Sequence, residues 1–154
     1  MAEREFDLAR RNEAPFSVIM LDVDGFKKFN DSFGHKVGDQ VLIQVAETCK
    51  SALRGSDIFG RLGGEEFALA APATPLEHAV EIAARLRRLI HEQTFRFETG
   101  EGELPEPFSV TVSVGVVASD PACKNLDALM ERADKAMYLA KNSGRNQVRA
   151  WGEE

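Results

Sequence analysis

Between Phe16 and Val23 the chain reads FSVIMLDV, apolar throughout except for Ser17 and, close to the end, Asp22. A strand with one face in water alternates apolar and polar residues. A nearly continuous apolar run therefore marks a strand buried on both faces, in the middle of a sheet. Polar residues arrive abruptly at its end, as Asp22 and then Asp24. The exit of a central strand is where open sheets place their ligands. Asp24 could equally cap the helix that follows. Asp22, inside the apolar run, is harder to assign to capping.

The 154 residues suffice for one domain with a proper core, and their composition is ordinary for a soluble α/β or α+β protein. A formal net charge of −6 argues against a non-specific nucleic-acid binder or an anionic-membrane binder, which need basic surfaces. It leaves room for a small anionic ligand held by local cations or metal. Cys49 and Cys123 show no CxxC or zinc spacing, and His35, His78 and His91 show no metal-ligand spacing. Without a bilayer-length apolar run or a signal-peptide pattern, a cytoplasmic domain is expected.

The remaining elements follow in order. A short charged helix is expected over 1–14, pinned by Phe6 and Leu8 and ended by Pro15. Phe26, Phe29 and Phe33 recur at helical spacing and predict one buried face, with Lys27 and Asn30 beside it. Gly34 and Gly38 bracket a predicted turn, and Asp39 is a plausible N-cap for a helix over 40–54 that buries Val41, Leu42, Val45, Cys49 and Leu53. In IFGRLGGEEFALAA, Gly63 and Gly64 separate two strand-like runs, the signal of a hairpin whose tight turn needs positive φ. That turn would hold Glu65 and Glu66 where nothing bulky obstructs a phosphate.

An amphipathic helix follows over 76–92, with Leu76, Val80, Ala83, Leu86 and Ile90 inward and Arg85 outward. FRFE (95–98) and FSVTVSVGVVA (108–118) read as paired strands joined by the acidic loop TGEGELPEP, the second with strict period two. A last helix over 126–142 carries Lys141 in its final turn, stops at Gly144, and leaves Arg145 just beyond, before an edge strand over 147–151. DVDG is not an EF-hand, because the glycine and the closing glutamate are out of register. Nothing fits the P-loop pattern either.

Taken together, IMLDVDGFKKFND, FGHKVGDQ, RGSD, RLGGEEF, TVSVGV and ADKAMYLAKNSGRN resemble, in identity, order and spacing, the GGDEF domain of diguanylate cyclases in its GGEEF variant. The resemblance implies an α+β fold: a central five-stranded, mainly antiparallel sheet wrapped by helices, similar to adenylyl cyclase catalytic domains and ferredoxin-like palms. It implies condensation of two GTP to cyclic di-GMP with release of pyrophosphate, at a site shared by a homodimer. Two Mg²⁺ per site, or Mn²⁺, would be held by Asp22, Glu65, Glu66 and the Val23 carbonyl, with Glu65 also the candidate base for the attacking 3′-hydroxyl. Asn30 and Asp39 would read guanine, with His35 and Gly64 nearby. Lys27, Lys141 and Arg145 would meet the triphosphate, alongside backbone N–H groups at Gly25 and Phe26. Arg54 and Asp57, with Arg85, would form a product-inhibition site.

The family's opening Asp-x-Leu-Thr-Gly-Leu-x-Asn-Arg segment is not seen, and the chain starts at what resembles its tail, Arg4 and Phe6. A catalytic fragment of a longer regulated protein is therefore expected. The rival reading is a non-catalytic module that senses cyclic di-GMP or GTP.

Overall fold

The structure is a computed structural model that describes residues 1–96, 98–99, 102–103 and 108–152. Its centre is a five-stranded sheet of order β2-β3-β1-β6-β7. Strand β1 (Phe16–Val23) is buried along its whole length, as its apolar run requires. It lies between β3 (Glu66–Pro72) and β6 (Val112–Ala118), antiparallel to both. Strand β2 (Ile58–Gly63) forms one edge, and β7 (Gln147–Ala150), parallel to β6, forms the other. The α+β architecture and the mainly antiparallel sheet are as expected.

The pleat sorts the core into two layers. The odd-numbered Ile19, Leu21 and Val23 pack with α3 (His35–Ser51) and α4 (Leu76–Glu92). The even-numbered Phe16, Val18 and Met20 pack with α1 (Ala2–Arg11) and α5 (Leu126–Asn142). Helix α5 lies close on the sheet because β6 has Gly115 beneath it. A Cβ there would stand 2.2 Å from the Ala133 carbonyl oxygen and 2.3 Å from the Met137 amide nitrogen. Both cysteines are buried, and burial pushes the Cys49 thiol up to about 12.

Several boundaries differ from expectation. Helix α1 ends at Arg11, and Ala9 rather than Leu8 joins Phe6 in the core, Leu8 being exposed. Helix α3 starts at His35, so Asp39 is an interior helical residue and not an N-cap. Gly38 makes no turn: it sits in the helix, buried, because the Asn30 side chain occupies the space its Cβ would fill. Helix α2 (Phe26–Phe33) buries Phe26, but Phe33 is exposed and stacks on Phe108 instead. Leu76 is also exposed, with Ala79 in its place.

The 108–118 strand begins only at Val112. Before it, Phe108 makes a single bridge to Phe95, which is all that remains of the FRFE pairing among the described residues; Phe97 lies outside them. Across the end of FRFE and the acidic loop, β4 (Glu98–Thr99) pairs with β5 (Gly102–Glu103), and residues 100–101 and 104–107 lie outside the described residues. Among the described residues no helix is long and apolar enough to cross a membrane.

Candidate functional site

The end of β1 and the β2–β3 hairpin meet because those strands are neighbours. Asp22 is the Cα partner of Glu66, and the Val23 N–H donates to the Glu65 carbonyl at 3.2 Å. Residues directly opposite in an antiparallel pair share a face. The turn between Gly63 and Glu66 is made possible by Gly64 at φ 52°, and a Cβ at Gly64 would meet nothing within 4 Å. Nothing at that position obstructs an incoming ligand.

Asp22 continues the even row of β1, so its carboxylate leaves the sheet toward α5. There the Lys141 ammonium, in the last turn of α5, stands 2.7 Å from Oδ2. Lys141 also lies 5.7 Å from the centre of the Tyr138 ring. Burial pushes the Asp22 carboxyl up to about 6, against the hydrogen bond and charge of Lys141 and with the help of Glu65 and Glu66. Burial alone would lower Lys141, but Asp22, with Glu66 and Glu65 behind it, outweighs burial and holds the ammonium above its usual range. The three carboxylates therefore act on one point, which Lys141 occupies.

Around this point opens a cleft of about 510 Å³. Asp22, Val23, Gly25, Phe26, Lys27, Glu65, Lys141 and Arg145 line it, together with Asp24, Lys28 and Asp31. Gly25 precedes α2 at φ 67°, and a Cβ on it would meet no atom within 4 Å. The first N–H groups of α2 have no partner within their own helix and, beside Lys27 and Lys28, form a place for an anion. Arg145 is brought to the cleft by a turn after α5 in which it and Asn146 have φ of 63° and 47°.

Asp24 makes no capping bond to α2, although it lines the cleft. It accepts hydrogen bonds from Thr111 Oγ1 (2.7 Å), Ser113 Oγ (2.6 Å) and the Asn146 N–H (3.0 Å). It is a structural hub, and no local pattern announces it, since its partners come from strand β6 and its approach and from the chain's far end.

A second hollow, about 440 Å³, lies between α3 and β2, and Asp39 is on its wall with Leu42, Ile43, Lys50 and Arg61. Those four were missed in the sequence; only the fold aligns the outer face of α3 with the edge strand. Asn30 and His35 line neither hollow. Asn30 Oδ1 is buried against Gly38 and has no hydrogen-bond partner among the described residues. His35 is exposed.

Arg54 and Asp57 are brought together, Nη2 to Oδ1 at 3.0 Å, and the Arg54 N–H also donates to Asp57. Arg54 is further tied to Thr74 Oγ1 (2.6 Å). Arg85 is exposed on α4 and forms no hydrogen bond or ion pair among the described residues.

Among the described residues, no three His, Cys, Asp or Glu side chains already form a metal cage. The donor chemistry nonetheless fits a hard divalent cation. Asp22, Glu65 and Val23 offer oxygen at one wall of the cleft, with Glu66 opposite Asp22. Mg²⁺ favours this kind of site, taking one or two carboxylates and completing its shell with water and phosphate oxygens.

The linkage of Asp22 is open to direct test. A carboxyl raised in the fold contributes stability that is complete below its unfolded value near 3.8 and is lost as pH climbs through 6. Asn at this position imitates the protonated form. Asp22→Asn should therefore match the parent near pH 3 and exceed it at about pH 7.5 by on the order of 3 kcal/mol, or roughly 6–12 °C in midpoint. Thermal melts at the two pH values check this; a gap that does not change with pH would contradict it.

Carboxylates and cations thus face each other at the rim of the sheet of this α+β domain. The family model described as diguanylate cyclase, GGDEF domain, matches residues 1–147, and the chain belongs to the GGDEF family. It is 42% identical over 134 residues to the response regulator PleD of Caulobacter vibrioides, covering 87% of this chain and 29% of that protein. It is 39% identical over 152 residues to the probable diguanylate cyclase DgcC of Escherichia coli, covering 96% of this chain and 38% of that one. The chain thus spans little more than a third, at most, of these relatives' lengths. Among solved structures it resembles the active GGEEF domain of a diguanylate cyclase from Vibrio cholerae, with a TM-score of 0.88, 30% identity, and coverage of 99% and 93% of the two chains. It also resembles the GGDEF domain of DgcB from Caulobacter crescentus in complex with c-di-GMP, with a TM-score of 0.90, 30% identity, and coverage of 99% and 84%.

Proposed function

We propose that this domain condenses two molecules of GTP into cyclic di-GMP, each held by one of two apposed copies. The observation that carries the reading is the strand register that sets Asp22 opposite Glu66, with Glu65 on the adjoining turn. In each of two steps a ribose 3′-oxygen attacks the α-phosphorus of the other nucleotide, the bond to pyrophosphate breaks, and the hydroxyl proton leaves. Glu65, at the open turn, takes that proton. Two divalent cations on Asp22, Glu65, Glu66 and the Val23 carbonyl would supply charge neutralisation for the phosphoryl oxygens.

The chain's own cations do the rest. Lys27 and the N-terminus of α2 hold the phosphates from one side of the cleft, and Lys141 and Arg145 hold them from the other. Asp39 accepts from guanine N1–H and N2–H, a donor pair adenine lacks. Asn30, one helix away, is proposed to join it at the base through its side-chain amide. Cyclic di-GMP joins two guanylyl units by two reciprocal attacks, so its formation depends on a second nucleotide held by a second copy.

Fusing a dimerising coiled coil to the chain and supplying GTP with Mg²⁺ should yield cyclic di-GMP faster than the unfused chain does at equal concentration. A fused protein that binds GTP and forms no product would assign the domain to sensing instead.

Arg54, Asp57 and Arg85 are proposed to bind the product at a second site. Arginine can stack on guanine and fork onto its acceptor edge, while aspartate accepts from its N–H groups. Arg54→Ala should raise the concentration of cyclic di-GMP needed for half inhibition by about tenfold or more. Inhibition curves that coincide with those of the parent would dispose of this site.

A further inference from the structure

Arg145 reaches the cleft from a turn in which two consecutive residues that bear side chains, Arg145 and Asn146, have φ of 63° and 47°. Residues with a Cβ avoid this region unless surrounding bonds hold them there. Here the bonds converge on Asn146. Its N–H donates to Asp24 Oδ2 at 3.0 Å, and its Oδ1 accepts from Arg87 Nη1 at 2.9 Å. Arg87 belongs to α4, on the face of the sheet opposite α5, and its guanidinium bond to Asn146 is partly shielded from water. The turn is thereby clamped from both sides, by the end of β1 through Asp24 and by α4 through Arg87.

We infer that Arg87 is a positioning residue: through Asn146 it fixes the left-handed turn that aims Arg145 at the phosphates of the bound nucleotide. Arg87 does not line the cleft. The inference rests on the reading of Arg145 as a phosphate-binding residue. Without the Arg87 bond, the side chain of Asn146 loses its acceptor role, the turn can relax toward negative φ, and the Arg145 guanidinium is no longer held over the cleft.

The test is a double-mutant cycle on nucleotide binding. Affinities for a non-hydrolysable GTP analogue with Mg²⁺, and for guanosine, are measured by calorimetry for Arg87→Met, Arg145→Ala and the double variant, with melting curves alongside. Arg87→Met should weaken the analogue by roughly tenfold and leave guanosine unchanged. The double variant should bind no more weakly than Arg145→Ala alone, and Arg87→Lys, which keeps one donor, should recover most of the affinity. If Arg87→Met melts too early to measure, Asn146→Ala removes the same acceptor and should give the same loss. Unchanged analogue affinity in Arg87→Met, equal losses for analogue and guanosine, or losses that simply add in the double variant, would each overturn the inference. Arg145→Ala binding the analogue as the parent does would instead remove the reading beneath it.

Discussion

Asp22→Asn and Glu65→Gln should each lower turnover of GTP by on the order of 10³-fold. The first replaces a charged oxygen at the exit of the central strand by a neutral amide. The second leaves the open turn intact but without a group that takes a proton. The Asp22 variant is the more informative of the two, because the same change is expected to make the fold more stable above pH 6. An inactive protein that melts later than its parent cannot owe its inactivity to unfolding. Residual turnover within about tenfold of the parent in both variants would remove these residues from the chemistry. Product formation from GTP in the dimerised protein, followed by chromatography, is the measurement.

Gly115→Ala should cost about 3 kcal/mol or more, a fall of at least roughly 6 °C in melting midpoint. The methyl would be driven toward the Ala133 carbonyl and the Met137 amide, one helical turn apart, and would lie 2.9 Å from the Met137 Cα. All three are backbone atoms, so no rotamer change relieves the contact. Either α5 lifts off the sheet or β6 bows away. Lifting α5 would also withdraw Lys141 from Asp22, so the variant should lose nucleotide affinity in step with its stability. A midpoint within about 2 °C of the parent would show that the interface yields more easily than its geometry says.

Much of this was legible in the chain itself. The apolar run from Phe16 to Val23 is strand β1 to the residue, and helices α4 and α5 have the bounds their periodicity predicts. The glycine pair delivered the hairpin, and with it the juxtaposition of Asp22 and Glu66, as soon as β3 was known to lie beside β1.

What could not be read depends on contacts made across the fold. Gly38 looks like a turn residue, because nothing in its neighbourhood says that Asn30 will need its space. Asp24 looks like a cap or a ligand, because Thr111, Ser113 and Asn146 lie 87 to 122 residues away. Lys141 was expected to meet a phosphate, and its pairing with Asp22 follows only from how closely α5 lies on Gly115. Phe33 has the right spacing for a core residue, but at the end of α2 it stacks on Phe108 and stays about half exposed.

The sheet order sets the two halves of the site on supports of different firmness. Asp22 sits on β1, which has a neighbour on each side and cannot come loose without dismantling the domain. Glu65 sits at the tip of a hairpin whose outer strand is the margin of the sheet. Opening that edge strand disrupts fewer neighbours than opening β1, so amide exchange should be faster around Glu65 than around Asp22.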